Sequence, residues 1–547
     1  VEETVDFKVD MSDGHHEYKH PNGQTWQEYT IVNGKPNGRW IYYHPNGQVS
    51  IDEEYDGGIK IGKWETFHDN GNQWTVENYI NGKRTGDNKK WRCDGILEYD
   101  GYYKNDKKVG KWIYYYESGI KEYQGNYVGG KRSDKWIRFY DVSEKKYQEL
   151  FYSDGKLNGE FKEFDDGVIV KGTYKNDKKE KKWIYCDGDG KLRKEENYSD
   201  GKLDGYVKEW NPDGKEWKIG SYKNDQKNGK WFKFHDGSGK KYSESIYVNN
   251  ELNGKYIEYN ESGLIIVEGG YKNNEKNGKH TYTADNGNIR KVENYKNGKL
   301  DGEYKEWHPD GEKWKEQNYK NGDFNGQFII YHLNGSTFQI GEFKNGNKIG
   351  KWYSYHGTGI KKSDEEYENG KKIGLWKEWY EKGQKKSWGK YKNDKKDGRW
   401  ETWHKTTNLW TRSHYKSGKR VSKWSEWHSD GLLKSIIYYK DDKLNGEFNQ
   451  WFMSGTKRTS GKMYQDKMEG KWTFWYHNNQ KESEMYFNGG QVTKGKVWND
   501  NGTIKVKRVF EGVILRKPIK YKGSKSNWSL STAAEAAALS TGKHDEI

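Results

Sequence analysis

Only 2 cysteines, 6 prolines and 5 methionines occur in 547 residues, and no apolar run reaches the length of a membrane helix. Cys93 and Cys186 stand almost four periods apart in the pattern described below. Stacked hairpins would separate them by roughly 35–40 Å, at two strand spacings per period. A disulfide needs Cα atoms within about 7 Å, so no intramolecular bridge is expected and cysteine usage does not indicate the compartment. With few prolines, strand N–H donors stay intact; Pro36, Pro45, Pro212 and Pro309 read as turn residues. A helical span needs about 18 consecutive apolar residues, so no transmembrane segment is expected. Also missing are a phosphate loop, a nucleophile elbow, an HExxH or CxxC pair and EF-hand spacing. Nothing asymmetric stands out as an active site, and the chain reads as a non-enzyme without cofactor, metal or small-molecule substrate.

Aliphatic residues are scarce as well. Hydrophobic residues make up 31% of the chain and charged residues 33%, with a mean hydropathy of -1.33. Such polarity usually signals disorder. The aromatics reverse that reading, because 27 Trp, 44 Tyr and 17 Phe amount to 16% of the residues. Rings rather than aliphatic volume must hold this protein together, which suits a thin sheet better than a globular core. The net charge of +15, from 97 basic and 82 acidic residues, is spread along the chain and reads as solvated surface.

The dominant feature is periodicity. The unit Asn-Gly-Lys-x-x-Gly-Lys-Trp recurs, as in Asn33 to Trp40. Taking its last residue as the anchor, tryptophan fills that position at Trp40, Trp64, Trp112, Trp136, Trp183, Trp231, Trp352, Trp376, Trp400, Trp424 and Trp472. Asn88, Phe161, Val207, Tyr256, His280, Tyr304, Phe328, Phe448 and Val497 fill it elsewhere. Steps between anchors are 24 residues, with three of 25 and one of 22. A degenerate first unit centres near His16. An aromatic follows at plus three (Tyr43, Phe67, Trp379, Trp403), and another at plus fifteen (Tyr55, Tyr79, Tyr127). Glycine recurs at plus seven: Gly47, Gly71, Gly119, Gly214, Gly311 and Gly335.

Asn-Gly and Asp-Gly supply the positive φ of hairpin turns. They occur twice per unit, leaving two strands of about five to seven residues. The strands carry Trp, Tyr, Phe, Ile and Thr, all strong β formers. The expected fold is all-β: an elongated single-layer antiparallel sheet of about twenty tandem hairpins, twisted or curled. Anchor and plus-three residues differ by an odd number and should face opposite sides. Some forty strands would give a ribbon on the order of 200 Å. Residues 1–15 form an N-terminal cap or strand, 16–510 the repeats and 511–547 a tail.

The unit from Asn33 to Tyr55 closely resembles the MORN repeat variant of bacterial proteins, some of them described as antitoxins. The resemblance extends over residues 16–510. It implies an extended hairpin scaffold that binds proteins or other arrays and brings no catalytic residues; lipid binding is also attributed to such arrays.

A histidine column at plus four includes His20, His44, His68, His235, His308, His332, His356, His404 and His428. Equivalent positions in successive hairpins lie about 10 Å apart, too far to share one ion, so these read as solvated residues flanking turns. The acidic groups Asp165-Asp166, Asp187-Gly188-Asp189 and Asp441-Asp442 read as turn residues for the same chain-reversal reason.

Periodicity fails after Gly502. Val513–Tyr521 can form a strand, Thr532 and Glu535 form a capping box, Ala533–Leu539 favours helix, and Gly542 suits its end. Trp528, Leu530 and Leu539 are the apolar residues of a candidate assembly tail. The expected function is a structural scaffold that self-assembles, as a filament or large-assembly subunit, through sheet edges and tail. The alternative is a binding module for a protein (antitoxin-like), a glycan or a nucleic acid. The start at Val1 favours a secreted or cell-surface setting. The ending His544-Asp545-Glu546-Ile547 resembles an endoplasmic-reticulum retrieval signal with Ile for Leu; a cytoplasmic setting stays open.

Overall fold

A computed structural model describes residues 9–165, 168–406 and 410–509; Trp528, Leu530, Leu539 and the rest of the expected tail lie outside them. The described residues form β-strands and turns with no helix. The chain divides into two compact units, Val1–Glu275 and Lys276–Ile547. Within each, strands pair antiparallel with their neighbours in chain order. In the first unit, Val49–Asp56 pairs with Gly38–Tyr43 on one side and Ile59–Phe67 on the other. In the second, Lys361–Glu368 lies between Asn347–Tyr355 and Lys371–Trp379 in the same way. Each unit is an open single-layer sheet of stacked hairpins. The described residues hold 49 strands. The excess over forty arises because pieces such as Lys83–Arg84 and Gly86–Trp91 are one strand interrupted by a bulge.

Strands are longer than expected, typically 8 residues in the first arm of a hairpin, as in Gln73–Ile80, and 9 in the second, as in Ile59–Phe67. The two turns use fewer residues than a symmetric division assumes. The tight turn is a two-residue reversal with both residues left-handed: Asn105 at φ 50° and Asp106 at φ 62°. The other is a longer loop such as His44–Gln48, in which only Gly47 is left-handed, at φ 82°. Pro36 is not a turn residue; it pairs with Ile31 in the sheet.

The second glycine of the repeat motif, two residues before the anchor, belongs to neither turn. Gly110 has φ 65° and sits inside a strand. There the pairing register slips, from Asp100 opposite Ile113 to Tyr102 opposite Val109. A left-handed residue is what such a bulge requires. The slip frees a main-chain carbonyl, and the anchor indole takes it. Trp112 Nε1 donates to the Tyr102 carbonyl at 3.2 Å, Trp136 to Asn126 at 3.1 Å and Trp472 to Lys462 at 3.0 Å.

Each of these rings also lies flat on a glycine of the preceding strand. A Cβ on Gly101 would stand 2.1 Å from the Trp112 ring, and one on Gly341 2.2 Å from Trp352. Trp112, Trp136 and Trp352 are 0% exposed, whereas Trp64 and Trp376, with Glu53 and Glu365 at the equivalent position, remain 6% and 7% exposed. A single sheet has no second layer to cover its rings, so a side chain must close each one from above. The residue four before the anchor does this. Lys60 Nζ stands 3.7 Å from the Trp64 ring centroid, Lys348 3.9 Å from Trp352, and the Arg132 guanidinium 4.4 Å from Trp136. Burial pushes the Lys108 and Lys348 ammonium groups below the ordinary lysine value. Where the anchor is Phe161, Val207, Tyr256, Tyr304 or Phe448, the lid is Leu157, Leu203, Leu252, Leu300 or Leu444. The cation appears mainly where there is an indole to receive it.

Anchors and plus-fifteen tyrosines form runs of ring contacts, with Trp40–Tyr55, Tyr55–Trp64 and Trp64–Tyr79 centroids 5.5, 5.1 and 5.0 Å apart. Plus-three residues make their ring contacts elsewhere, as in Trp403–Trp410 at 6.4 Å. Both faces carry aromatics.

Trp112→Ala should destabilise its own and adjacent hairpins by about 3–5 kcal/mol, as for other large-to-small core changes, read by hydrogen exchange across residues 97–128. Distant repeats should be unaffected, because repeat arrays are coupled mainly to nearest neighbours. Gly101→Ala meets the indole and should cost at least as much as Gly110→Ala. The latter finds open space and carries only the left-handed strain of about 1 kcal/mol. Equal exchange in Gly101→Ala and wild type would contradict the seat.

Candidate interaction surface

The expected site residues are mostly structural. Among the anchor tryptophans, Trp40, Trp64, Trp112, Trp136, Trp231, Trp352, Trp376, Trp400 and Trp472 are buried, and Trp424 is partly buried. Gly47, Gly71, Gly119, Gly214, Gly311 and Gly335 all have positive φ. Each donates its N–H to the residue three before it, as Gly47 does to the His44 carbonyl at 2.8 Å.

The histidine column is not the solvated feature expected. All but His404 are partly buried, and most clamp one hairpin to the next. His44 Nε2 lies 3.0 Å from the Phe67 carbonyl, His332 3.0 Å from that of Tyr355, and His428 3.1 Å from that of Trp451. A carbonyl only accepts, so Nε2 carries the proton. Tyrosines replace histidine in the same role: Tyr116 donates to the Phe139 carbonyl at 3.0 Å and Tyr380 to that of Trp403 at 2.9 Å. Beside them, Asn46 Nδ2 donates to the Asp69 carbonyl at 2.7 Å and Asn334 to that of Gly357 at 2.8 Å. This turn edge is a ladder of side chains on main-chain carbonyls.

The opposite turn edge has its own ladder. The Gly82 N–H reaches the Lys60 carbonyl at 2.9 Å, and Asp106 Oδ1 accepts from the Arg84 N–H at 2.9 Å. The acidic groups behave likewise. Asp187 Oδ1 accepts from the Asp189 and Lys191 N–H groups, and Asp442 Oδ1 from that of Arg420. Asp166 lies outside the described residues. Among the described residues no three His, Cys, Asp or Glu side chains converge as metal ligands, and no helix is long and apolar enough to cross a membrane. Cys93 and Cys186 are both free.

Tryptophans interleaved with lysines, the feature in the sequence that suits a glycan or nucleic acid, take a definite arrangement on the plus-three face of the second unit. Trp379, Trp403, Trp427, Trp451 and Trp475 occupy that column in five successive hairpins, and all are partly buried. Trp403 pairs across the strands with Trp410, and Trp410 with Trp427. The Trp410 and Trp427 rings stack 3.6 Å apart at 2°. Lysines alternate with the indoles. Lys385 pairs with Trp379 and lies 5.4 Å from the next ring, Trp403; Lys457 pairs with Trp451 and lies 5.9 Å from Trp475. The signal in the sequence is the lysine at plus nine, visible only once its cross-strand partner is known.

A family model described as MORN repeat variant matches residues 36–56, 108–128, 300–321 and 468–488. No curated protein matches the chain in sequence. Among solved structures, a crystal structure of TcdB2-TccC3-TEV aligns at 9% identity and a TM-score of 0.11, over 88% of this chain and 29% of the other. A Photorhabdus luminescens Tc holotoxin pore aligns at 10% identity and a TM-score of 0.12, over 88% and 27%. The chain thus spans less than a third of either. Each of the four family matches begins at the lid residue before an anchor, so the chain carries MORN-variant repeats at those four places within a tandem array of hairpins in the same register.

Proposed function

We propose that this protein is a non-catalytic scaffold that associates with further copies of itself through the open edges of its sheet, as the subunit of a filament or large assembly. The observation that supports this reading is the way each hairpin is completed by its successor. An interior hairpin receives main-chain pairing on both sides, together with the histidine and asparagine clamps from its neighbour. Among the described residues, Gly14–Lys19 pairs on one side only, with Thr25–Val32. An edge of this kind offers unpaired N–H and C=O groups in the geometry that one more repeat fills. The partner best fitted to it is another array.

In this reading the aromatics and lysines of the anchor face hold the protein together, and the repeats have no substrate. A binding module remains the second reading, and the asymmetric tryptophan row of the second unit favours it.

Sedimentation of the full chain across a wide concentration range should show mass rising above the monomer, with elongated assemblies by negative-stain microscopy. Glu17→Pro places an N–H-less residue in the edge strand and should lower the assembled fraction. A monomer at every concentration would overturn self-assembly.

A further inference from the structure

The tryptophan row of the second unit is the one place where the repeat carries more than its own stability requires. Anchor indoles account for the burial of their face. The plus-three indoles have no second layer over them, yet five consecutive hairpins keep the largest side chain there. Their main chain is fixed from the neighbouring hairpin: His356 bonds the Trp379 carbonyl, Tyr380 that of Trp403 and His428 that of Trp451. The row is therefore held in place before any ligand arrives.

Its chemistry is periodic. One indole column recurs every two strands, about 10 Å. Two of the four gaps between the five tryptophans hold a lysine, Lys385 between Trp379 and Trp403 and Lys457 between Trp451 and Trp475. Lys361, Lys385, Lys457 and Lys481 each pair across from a plus-three ring and reach toward the next. Opposite Trp403 that place is taken by Trp410, which stacks on Trp427, and the Arg412 guanidinium lies beside the stack, 5.2 and 5.4 Å from the two centroids. Leu433 interrupts the series once. Several nearby charges are already matched: Arg412 by Glu401, Lys361 by Asp364 and Lys481 by Glu484. Among the described residues Lys385 and Lys457 face no carboxylate within ion-pair distance.

A ligand matching this surface is itself periodic, presents flat faces to the indoles and carries negative charge sparsely, at multiples of the ~10 Å hairpin step. A second copy of the array has the right period, but its row would set lysine against lysine. Nucleic acid stacks on aromatics, but carries a phosphate every ~3.4 Å of each strand, far denser than the cations here. An extended polysaccharide of β-linked sugars with one carboxylate per disaccharide advances by a comparable length per pair of rings. We propose that the plus-three face of residues 361–406 and 410–498 forms a binding platform for such an acidic polysaccharide, with sugar faces on the plus-three tryptophans and carboxylates on Lys385 and Lys457.

The test is titration of the full chain with a hyaluronan oligosaccharide, read by intrinsic tryptophan fluorescence and by calorimetry. A neutral β-1,4-linked N-acetylglucosamine oligomer and oligothymidylate serve as comparisons. Saturable binding of the hyaluronan oligomer is expected, at least roughly tenfold tighter than either comparison, a difference worth about 1.4 kcal/mol. The double variant K385E/K457E changes two exposed side chains and should weaken binding roughly tenfold or more. W403A/W451A should weaken it similarly, and Trp74→Ala in the first unit should not. No saturable binding, equal binding of the neutral oligomer, tighter binding of oligothymidylate, or unchanged binding by K385E/K457E would each overturn the proposal. None of these readouts depends on whether the chain self-associates.

Discussion

A sheet one layer thick must bury its rings against itself, and everything else in this protein follows from how it does so. The solution is local and repeated: an indole lies on a bare glycine backbone, donates to a carbonyl freed by a bulge, and is closed over by a lysine stem. Each element depends on the others. Without the bulge at Gly110 the Tyr102 carbonyl would be engaged in the ladder, and without Gly101 the Trp112 ring would have no seat. The lysine lid works because its aliphatic stem covers the ring while the ammonium stays near the water boundary. This explains how a chain with 31% hydrophobic residues keeps Trp112 and Trp183 fully buried.

The substitutions within the array show the same constraint from the other side. Where an aliphatic or smaller aromatic replaces the anchor indole, the lid is usually leucine, as at Leu157 over Phe161 and Leu444 near Phe448. A cation has less to gain over a ring with a weaker quadrupole, and nothing to gain over Val207. Where the seat is Glu53 or Glu77 rather than glycine, the carboxylate accepts from a tyrosine hydroxyl, Tyr55 at 2.9 Å and Tyr79 at 2.7 Å. Burial and these carboxylates hold both phenols above the ordinary tyrosine value. The sheet therefore accepts a polar seat as well as a bare one where a neighbouring hydroxyl bonds it.

Much of this was legible in the residues. Period, antiparallel hairpins, the anchor column, the turn glycines and the use of both faces follow from spacing alone. The bulge glycine was visible as a letter but not as a function, because a glycine near a turn reads as part of the turn. The seat glycine was missed for a related reason: Gly101 and Trp112 meet across strands, and sequence spacing carries no sign of that contact. The histidines were misread as solvated because their partners are main-chain carbonyls, which every residue has. Lys385 and Lys457 looked like ordinary strand surface until register placed them between indoles. The repeat composition indicates a binding or scaffold module.

The side-chain clamps of the long turns have a consequence for inheritance. His44 bonds residue 67 and Asn46 bonds residue 69, each reaching 23 positions ahead. Because the acceptor is a carbonyl present whatever the residue, removing or duplicating one whole unit leaves every clamp an equivalent partner. Gain or loss of a fraction of a unit would leave the clamp at that joint without one. Such a gene is free to change its copy number in whole steps, and the finished molecule sets no preferred count.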